Sequence, residues 1–312
     1  MSRQQVTTLD ILDGTVATVD LANGAVTNAK AASDVARANL LTNGGFEIWQ
    51  RGNGPFTNAG GGARSADRWT ILGATNLVSV SRDTANADTG STYCAAVTAA
   101  AGITSGNVGD FSQRLTDMTE AKGRILSASV RIKTTTANAV KLRLSGDAGT
   151  SYADSSWHPG TGAYVTLTAT LPVASTTDAW VRIWFEAPCT AYIDNAMLVV
   201  GSVAADYVPL HPADDLARCL RYYETFGIDN SWIISGYNIA GGLQYFTSPY
   251  KARKPVTPTV TRVGTWSLLN CSTPSSDVAG TEAFRSNTTI TANGTFYASA
   301  GASNYWTVEA NP

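Results

Sequence analysis

Two tryptophans and an arginine alternate with apolar residues in the run Trp180-Val-Arg-Ile-Trp-Phe-Glu. In a β-strand this spacing puts Trp180, Arg182 and Trp184 on one face and the apolar residues on the other. Flat aromatic rings beside hydrogen-bonding side chains suit the recognition of sugars. Tryptophan and arginine are also enriched where subunits meet, and for an oligomer a subunit interface is the preferred interpretation.

Basic residues alternate in the same way in two other runs. Arg131 and Lys133 alternate with apolar residues, and so do Lys141 and Arg143. If these strands are neighbours of the tryptophan-bearing strand, one sheet face carries two tryptophans among basic groups. We therefore include Arg131 and Lys133 in the candidate face, which binds either a glycan or another subunit.

The sequence offers little that points to catalysis. Its two histidines, His158 and His211, have no partner that spacing would place beside them, and we expect them in solvated loops. No nucleophile elbow, phosphate-binding glycine loop or His-Glu-x-x-His run is present. Paired carboxylates could cleave glycosidic bonds, but a β protein with 24 acidic residues offers such pairs by chance. We expect a protein that is not an enzyme and requires no cofactor.

Composition and charge exclude several classes of protein. The formal net charge is −2, only 15% of the 312 residues are charged, and no run of Lys or Arg suggests binding to nucleic acid. The N-terminus lacks a signal-peptide pattern and no stretch approaches a membrane span. We therefore expect synthesis in a cytoplasm and no membrane insertion. The four cysteines lack metal-ligand spacing and are expected to be buried free thiols: Cys94, Cys189, Cys219 and Cys271.

Short apolar or alternating runs, separated by Gly, Asn, Asp and Pro, predict a mainly β protein with an antiparallel sandwich in residues 39–205. The predicted strands of this sandwich are 77–82, 93–99, 125–133, 140–145, 164–171, 180–186 and 191–200. Six further strands are predicted at 232–237, 242–247, 257–263, 288–292, 294–299 and 305–309. These belong to a smaller β-rich domain at 206–312.

One helix is predicted between the two β regions. The segment 203–212 contains two prolines and reads as a linker, and the helix follows from Ala213 to Phe226. Asp214 and Asp215 near its start complement the helix dipole. Leu216, Cys219, Leu220 and Tyr223 form an apolar stripe, and Gly227 ends the helix.

Residues 10–29 contain two copies of a ten-residue repeat. Each copy places a turn pair, Asp13-Gly14 or Asn23-Gly24, between short apolar runs. Two copies bury too little surface to fold alone, since short repeats need stacked neighbours to close a core. The segment 1–38 is therefore predicted to be held by other copies of the chain or by a larger assembly.

Three motifs follow one another along the chain. The first two are the opening run Leu40-Leu-Thr-Asn-Gly-Gly-Phe-Glu-Ile-Trp-Gln-Arg-Gly, followed by Ala66-Asp-Arg-Trp, and the closing run Ala191-Tyr-Ile-Asp-Asn-Ala-Met-Leu-Val-Val-Gly. Both resemble the first and last strands of carbohydrate-binding-module-like jelly rolls in bacteriophage tail-fibre and other virion appendage proteins. Arg218-Cys-Leu-Arg-Tyr-Tyr-Glu resembles the start of the domain that often follows there, and the repeat resembles their virion-proximal ends.

This resemblance implies a jelly roll in residues 39–205 and a metal site. In the sugar-binding jelly rolls, a Glu of the opening motif and an Asp of the closing motif often hold a structural calcium. The matching residues here are Glu47 and Asp194. Carboxylate oxygens suit calcium, whereas the alternative is that Glu47 caps a turn and Asp194 accepts backbone N–H bonds.

The resemblance also implies a function. We expect a virion structural protein of a tailed bacteriophage, a fibre or spike whose residues 1–38 dock on other virion proteins and whose body contacts host surface glycans. Because such fibres are usually homotrimers, we expect a homotrimer in the virion. Two alternatives stay open. One is a capsid or tail decoration protein without receptor binding, and the other is a stand-alone carbohydrate-binding module.

Overall fold

The computed structural model describes residues 38–116, 118, 121–146, 149–173, 178–229, 232–301 and 303–312. The predicted attachment segment and its repeat lie outside the described residues, except for Ala38. The predicted fold class is confirmed: the described chain is mainly β. No helix within the described residues is both long and apolar enough to cross a membrane.

A jelly-roll β-sandwich of two antiparallel six-stranded sheets occupies the first part of the described chain. Sheet A contains, in spatial order, β1 (Phe56–Thr57), β4 (Val78–Asp83), β5 (Cys94–Ala99), β12 (Cys189–Val200), β7 (Ile125–Lys133) and β10 (Tyr164–Pro172). Sheet B contains β2 (Ala63–Arg64), β3 (Thr70–Gly73), β6 (Gly109–Thr116), β11 (Asp178–Phe185), β8 (Val140–Gly146) and β9 (Ser151–Asp154). One continuous apolar core lies between them, with Trp69, Phe46 and Phe111 in mutual ring contact.

The opening and closing motifs meet in this sandwich. Asn39 accepts hydrogen bonds from the N–H groups of Leu41 and Leu198, and its amide donates to the carbonyl of Ala196. Gly44 lies against the same carbonyl so closely that a Cβ atom would collide with it. A glycine is required at this position because the backbones of the two motifs approach each other directly.

A second β-rich unit follows a nine-residue helix, α1 (Pro212–Leu220). It consists of three three-stranded antiparallel sheets. Their strands are, in spatial order, β13 (Tyr223–Phe226), β21 (Tyr305–Glu309) and β16 (Thr259–Val263); β14 (Ile233–Asn238), β20 (Gly294–Ser299) and β17 (Ser267–Leu269); and β15 (Leu243–Pro249), β19 (Ala283–Thr289) and β18 (Ser275–Ala279). Two apolar clusters fill this unit, one of them built around Trp266, Phe284 and Trp306.

The helix is shorter than its sequence pattern predicts. It ends at Leu220, and Tyr223–Phe226 is strand β13, paired with β21. Tertiary pairing with a distant strand therefore overrides the local helical pattern here. The predicted stripe is also wrong at Leu216, which is 40% exposed, whereas Asp215 and Cys219 are the buried helical residues.

Candidate functional site

Strand β11 presents its polar and aromatic residues to solvent as the alternation predicts. Val181, Ile183 and Phe185 are fully buried, whereas the three residues between and before them, Trp180, Arg182 and Trp184, are half-buried on the outer surface of sheet B. The register places Arg114 of β6 beside Trp180, and Arg143 and Lys141 of β8 beside Arg182 and Trp184. We call these residues, with Tyr152 and Asp154 of β9, the tryptophan face.

Guanidinium groups pack against the aromatic rings of the tryptophan face. The Cζ atom of Arg143 lies 4.3 Å from the ring centroid of Trp184 and 4.1 Å from that of Tyr152. Arg182 lies 4.7 Å from Trp184 and 5.4 Å from Trp180. Trp184 therefore has two cation–π contacts, which are favourable because the ring face carries negative partial charge.

Each cation on this face also has a carboxylate partner. Arg143 forms a bidentate pair with Asp154, with N–O distances of 2.6 and 2.8 Å. Arg182 pairs with the buried Asp110 at 2.5 Å. The indole N–H of Trp184 donates to Glu186 at 3.0 Å, and Lys141 pairs with both Asp154 and Glu186. Because guanidinium groups contact the rings of Trp180 and Trp184 and a carboxylate accepts from each indole N–H, this pair of rings is organised before any ligand arrives.

The first residues of β11 extend this network toward β6. Arg114 pairs with Asp178 at 2.9 Å and lies 5.0 Å from the Trp180 ring. The indole N–H of Trp180 donates to the same Asp178 carboxylate at 3.2 Å. A cavity of about 200 Å³ adjoins Trp180 and Arg114. The face thus combines flat rings, charged donors and acceptors, and a recess at one end.

Sequence reasoning placed Arg131 and Lys133 on this face, and that placement was wrong. Both residues lie on β7, which belongs to sheet A, whereas β11 belongs to sheet B. Arg131 pairs with Asp88, and Lys133 donates to Asn86 at 3.1 Å. The strands that carry similar alternating patterns belong to opposite layers of the sandwich, and local alternation contains no information about the layer.

The sequence reasoning missed three residues of the tryptophan face, Arg114, Tyr152 and Asp154. It also missed Asp110 and Asp178, which pair with arginines of that face. Strands β6 and β9 were not predicted. In β6, Asp110, Ser112 and Arg114 alternate with Phe111, Gln113 and Leu115, so a period of two was present. The apolar side of that pattern is interrupted by the buried polar residue Gln113. Its side chain accepts a hydrogen bond from the backbone N–H of Thr42, in the opening motif, and donates one to the carbonyl of the same residue.

Glu47 and Asp194, the predicted calcium ligands, both hold the loop at residues 88–93. Glu47 accepts hydrogen bonds from the N–H groups of Thr92 and Tyr93. Asp194 accepts from the N–H of Asp88, the hydroxyl of Ser91 and the N–H of Asn195. These contacts correspond to the alternative interpretation, a turn cap and a backbone acceptor, and they use carboxylate oxygens that an ion would need.

The electrostatics of Asp194 nevertheless favour a nearby cation. Its side chain is fully buried, and burial raises its pKa to about 7. No ion pair involves Asp194 within the described part of the chain, where no group of three or more His, Cys, Asp and Glu residues could hold a metal. A cation would stabilise the buried carboxylate, so the charge of Asp194 is compatible with a calcium site. The hydrogen-bond donors that already contact its oxygens would, however, compete with the ion. Calcium at Glu47 and Asp194 stays a prediction.

A large groove of about 1220 Å³ lies beside this loop. Its lining includes Glu47, Asp88, Arg131 and Tyr207, together with Leu216 of helix α1. Arg131 is held there by Asp88, whose carboxylate also accepts from the Asn195 amide. Arg131 therefore belongs to the surroundings of the predicted metal residues.

The histidines and cysteines have contacts typical of residues that stabilise the fold. His158 is fully buried, with Nε2 2.9 Å from the carbonyl of Ile132, so its predicted solvated loop position was wrong. His211 caps helix α1 by accepting from the N–H of Ala213. All four cysteines are buried and unpaired, as predicted. Burial raises the pKa of the Cys94 thiol to about 12 and that of Cys189 to about 11, which disfavours the reactive thiolate.

No protein-family model and no curated protein matches the sequence. Among solved structures, the chain is similar to the enzymatically active domain of tailspike protein 4 of bacteriophage CBA120, at 17% identity and a TM-score of 0.36, over 52% of this chain and 21% of that one. The match to the CBM22-1 xylan-binding domain of Paenibacillus barcinonensis Xyn10C has 14% identity and a TM-score of 0.35, over 48% of this chain and 94% of that one. The C-terminal family 22 carbohydrate-binding module of Clostridium thermocellum Xyn10B matches at 18% identity and a TM-score of 0.34, over 49% of this chain and 97% of that one. The chain thus covers about a fifth of the tailspike structure and nearly all of the two binding modules.

Proposed function

We propose that this protein is a non-catalytic glycan-binding protein and that the tryptophan face is its binding site. The observation that carries the proposal is the position of Trp184, whose ring contacts the guanidinium groups of Arg143 and Arg182 while its indole N–H donates to Glu186. A pyranose ring offers C–H groups to an aromatic face and hydroxyl groups to charged donors and acceptors around it. The part of the Trp184 ring that solvent reaches supplies the aromatic contact, and the paired charged side chains supply the hydrogen-bond donors and acceptors.

We further propose that this binding serves a virion. In this proposal the protein is a fibre- or spike-type appendage of a tailed bacteriophage, assembled as a homotrimer, and residues 1–38 attach it to other virion proteins. The motif order along the sequence supports this proposal. Its host ligand would be a surface glycan, and its place of synthesis the cytoplasm of the host bacterium.

A glycan array tests the binding part of the proposal. We expect the full chain to retain specific glycans and the Trp180→Ala/Trp184→Ala variant to lose at least about tenfold in affinity, equivalent to ~1.4 kcal/mol. Tyr192→Ala is the matched control, because Tyr192 is a half-buried aromatic residue on sheet A and not on sheet B. If the tryptophan variant instead dissociates an oligomer and binds glycans unchanged, the face is a subunit interface.

Particle incorporation tests the virion part. We expect deletion of residues 1–38 to abolish incorporation into phage particles while the sandwich stays folded, as judged by an unchanged near-ultraviolet spectrum. Monomers that bind glycan, with no incorporation of the full chain into any particle, would favour the stand-alone carbohydrate-binding module. Incorporation without glycan binding would favour a decoration protein.

A further inference from the structure

One sheet of the C-terminal unit has an outer surface without any charged side chain. Strands β14, β20 and β17 contain no Asp, Glu, Lys, Arg or His. Their inward residues Ile234, Phe296 and Ala298 are buried in an apolar cluster. The outward residues, which the register places side by side, form what we call the Tyr237 face: Ile233, Ser235 and Tyr237 of β14, Thr295, Tyr297 and Ser299 of β20, and Ser267 and Leu269 of β17.

The large side chains of the Tyr237 face are unusually accessible for their type. Tyr237 is 81% exposed, Ile233 62% and Leu269 41%. The apolar surface continues past the end of β14, where Ile239 is 66% exposed. Several large apolar side chains exposed on one sheet face are typical of an interaction site in soluble proteins.

The edge of this sheet is also unprotected. Strand β14 pairs only with β20 in the described structure, so its other edge offers free backbone donors and acceptors. Proteins usually guard such an edge with Lys, other charges or Pro, and the whole segment from Ile233 to Ser248 has neither a charge nor a proline. The other two sheets of the unit differ, because β19 carries Arg285 in a pair with Asp277, and β21 carries Glu309.

We propose that the Tyr237 face is a self-association surface and that its occupant is a second copy of this chain. In a symmetric oligomer the same side chains approach one another around the axis, so a charged face would repel itself. A face made only of aliphatic, aromatic and hydroxyl side chains can pack against the same face of a second copy without electrostatic repulsion. An open strand edge adds main-chain hydrogen bonds in the same contact. This inference is independent of the tryptophan face, with which it shares no residue.

The first test introduces a charge. Tyr237→Lys should disperse or weaken the assembly of the full chain, lowering its mass by light scattering at a given concentration, because like charges then face one another. The fold should tolerate the change, since the side chain is almost fully exposed. Val278→Lys is the matched control, because Val278 is 53% exposed on β18 of a different sheet.

The second test measures by cross-linking whether the Tyr237 faces of two copies lie close together. It applies even if other surfaces also hold the copies together. A short bis-maleimide should link copies of the Ser235→Cys protein, and Tyr237→Lys in the same chain should suppress the product. Val278→Cys should give little product, and the four native cysteines are buried away from the reagent.

Three results would overturn the proposal. They are a full chain that is monomeric at all concentrations, equal cross-linking at Ser235 and Val278, and a Tyr237→Ala variant that loses glycan binding but keeps its mass. Glycan binding that persists in Tyr237→Lys and disappears in Trp184→Ala would separate this inference from the proposed function.

Discussion

At the scale of single residues, the tryptophan face depends on how its cations are shared between rings and carboxylates. Arg143 contacts Trp184 and Tyr152 while pairing with Asp154. A planar guanidinium can do both at once, whereas a lysine ammonium cannot reproduce the bidentate pair. The Trp184 ring, whose indole N–H also donates to Glu186, is therefore held in one orientation, which reduces the entropy lost when a ligand binds.

The buried carboxylates make stability depend on pH in a defined direction. Burial raises the pKa of Asp194 to about 7, far above its ordinary value of 3.8, so the folded protein binds this proton more tightly than the unfolded chain does. The contribution of Asp194 to stability is therefore lost as pH rises through about 7. With a chelator present, which keeps calcium from the carboxylate, we expect the free energy of unfolding to fall by ~0.8 kcal/mol and Tm by about 2 °C between about pH 6.5 and 8.

Melting curves of the wild type and of Asp194→Asn check this expectation. The variant lacks the titrating group, so its Tm should change less over the same interval. The interval lies above the ordinary pKa of histidine, about 6.5, and burial lowers the pKa of His158 further. A wild-type Tm that rises with pH across this interval would contradict the assignment.

At the scale of elements, a buried ion pair anchors helix α1 to the C-terminal unit. The Nζ atom of Lys254 donates to the carbonyl of Leu220, at the end of the helix, and lies 2.6 Å from Glu224 of β13. Both charged side chains are fully buried. The lysine thus joins a helix end, a strand and the loop after β15.

Lys254→Ala should destabilise the protein by about 3–5 kcal/mol, because it leaves Glu224 buried without its cation. Arg253→Ala is a control at the adjacent position. Arg253 lies 3.8 Å from Glu282 and both side chains are 75% exposed, so the loss should be at most about 1 kcal/mol. Denaturant unfolding measures both, and equal losses would show that the Lys254 pair does not anchor this region.

The two β units are joined by arginines that contact tyrosines at the start of β13. Arg51 lies 3.6 Å from the Tyr223 ring and pairs with Glu309, and Arg68 lies 3.7 Å from the Tyr222 ring. Arg68 also donates to the carbonyl of Arg114, a residue of the tryptophan face. The C-terminal unit therefore supports the backbone of β6 indirectly, through the contact of Tyr222 with Arg68.

The bounds of individual strands could be predicted from the sequence better than which strands pair with one another in a sheet. Strand β7 was predicted with the observed bounds, Ile125–Lys133, because its alternation is regular and both ends are clear. Strand β13 was missed because its pairing with β21 is a tertiary contact that local periodicity cannot reveal. The candidate face was right for Trp180, Arg182 and Trp184 in orientation and wrong for Arg131 and Lys133, since alternation gives the side of a strand and not its sheet.

At the scale of the whole molecule, a calcium ion would connect the opening and closing motifs through the loop at residues 88–93. If Glu47 and Asp194 hold calcium, chelator treatment should lower Tm in the wild type and leave Asp194→Asn unchanged, because ligands that bind only the folded state stabilise it. Melting curves with and without added calcium measure this. An unchanged wild-type Tm would count against a structural ion.

The measurement that most directly tests the central claim is calorimetric titration of the full chain with the best glycan from the array. We expect binding that Trp184→Ala weakens about tenfold or more, ~1.4 kcal/mol, while Tyr192→Ala binds like the wild type. Because Trp184 is half-buried on an outer surface, its removal should leave the fold intact. Equal affinities for the wild type and Trp184→Ala would contradict the assignment of the tryptophan face as the glycan site.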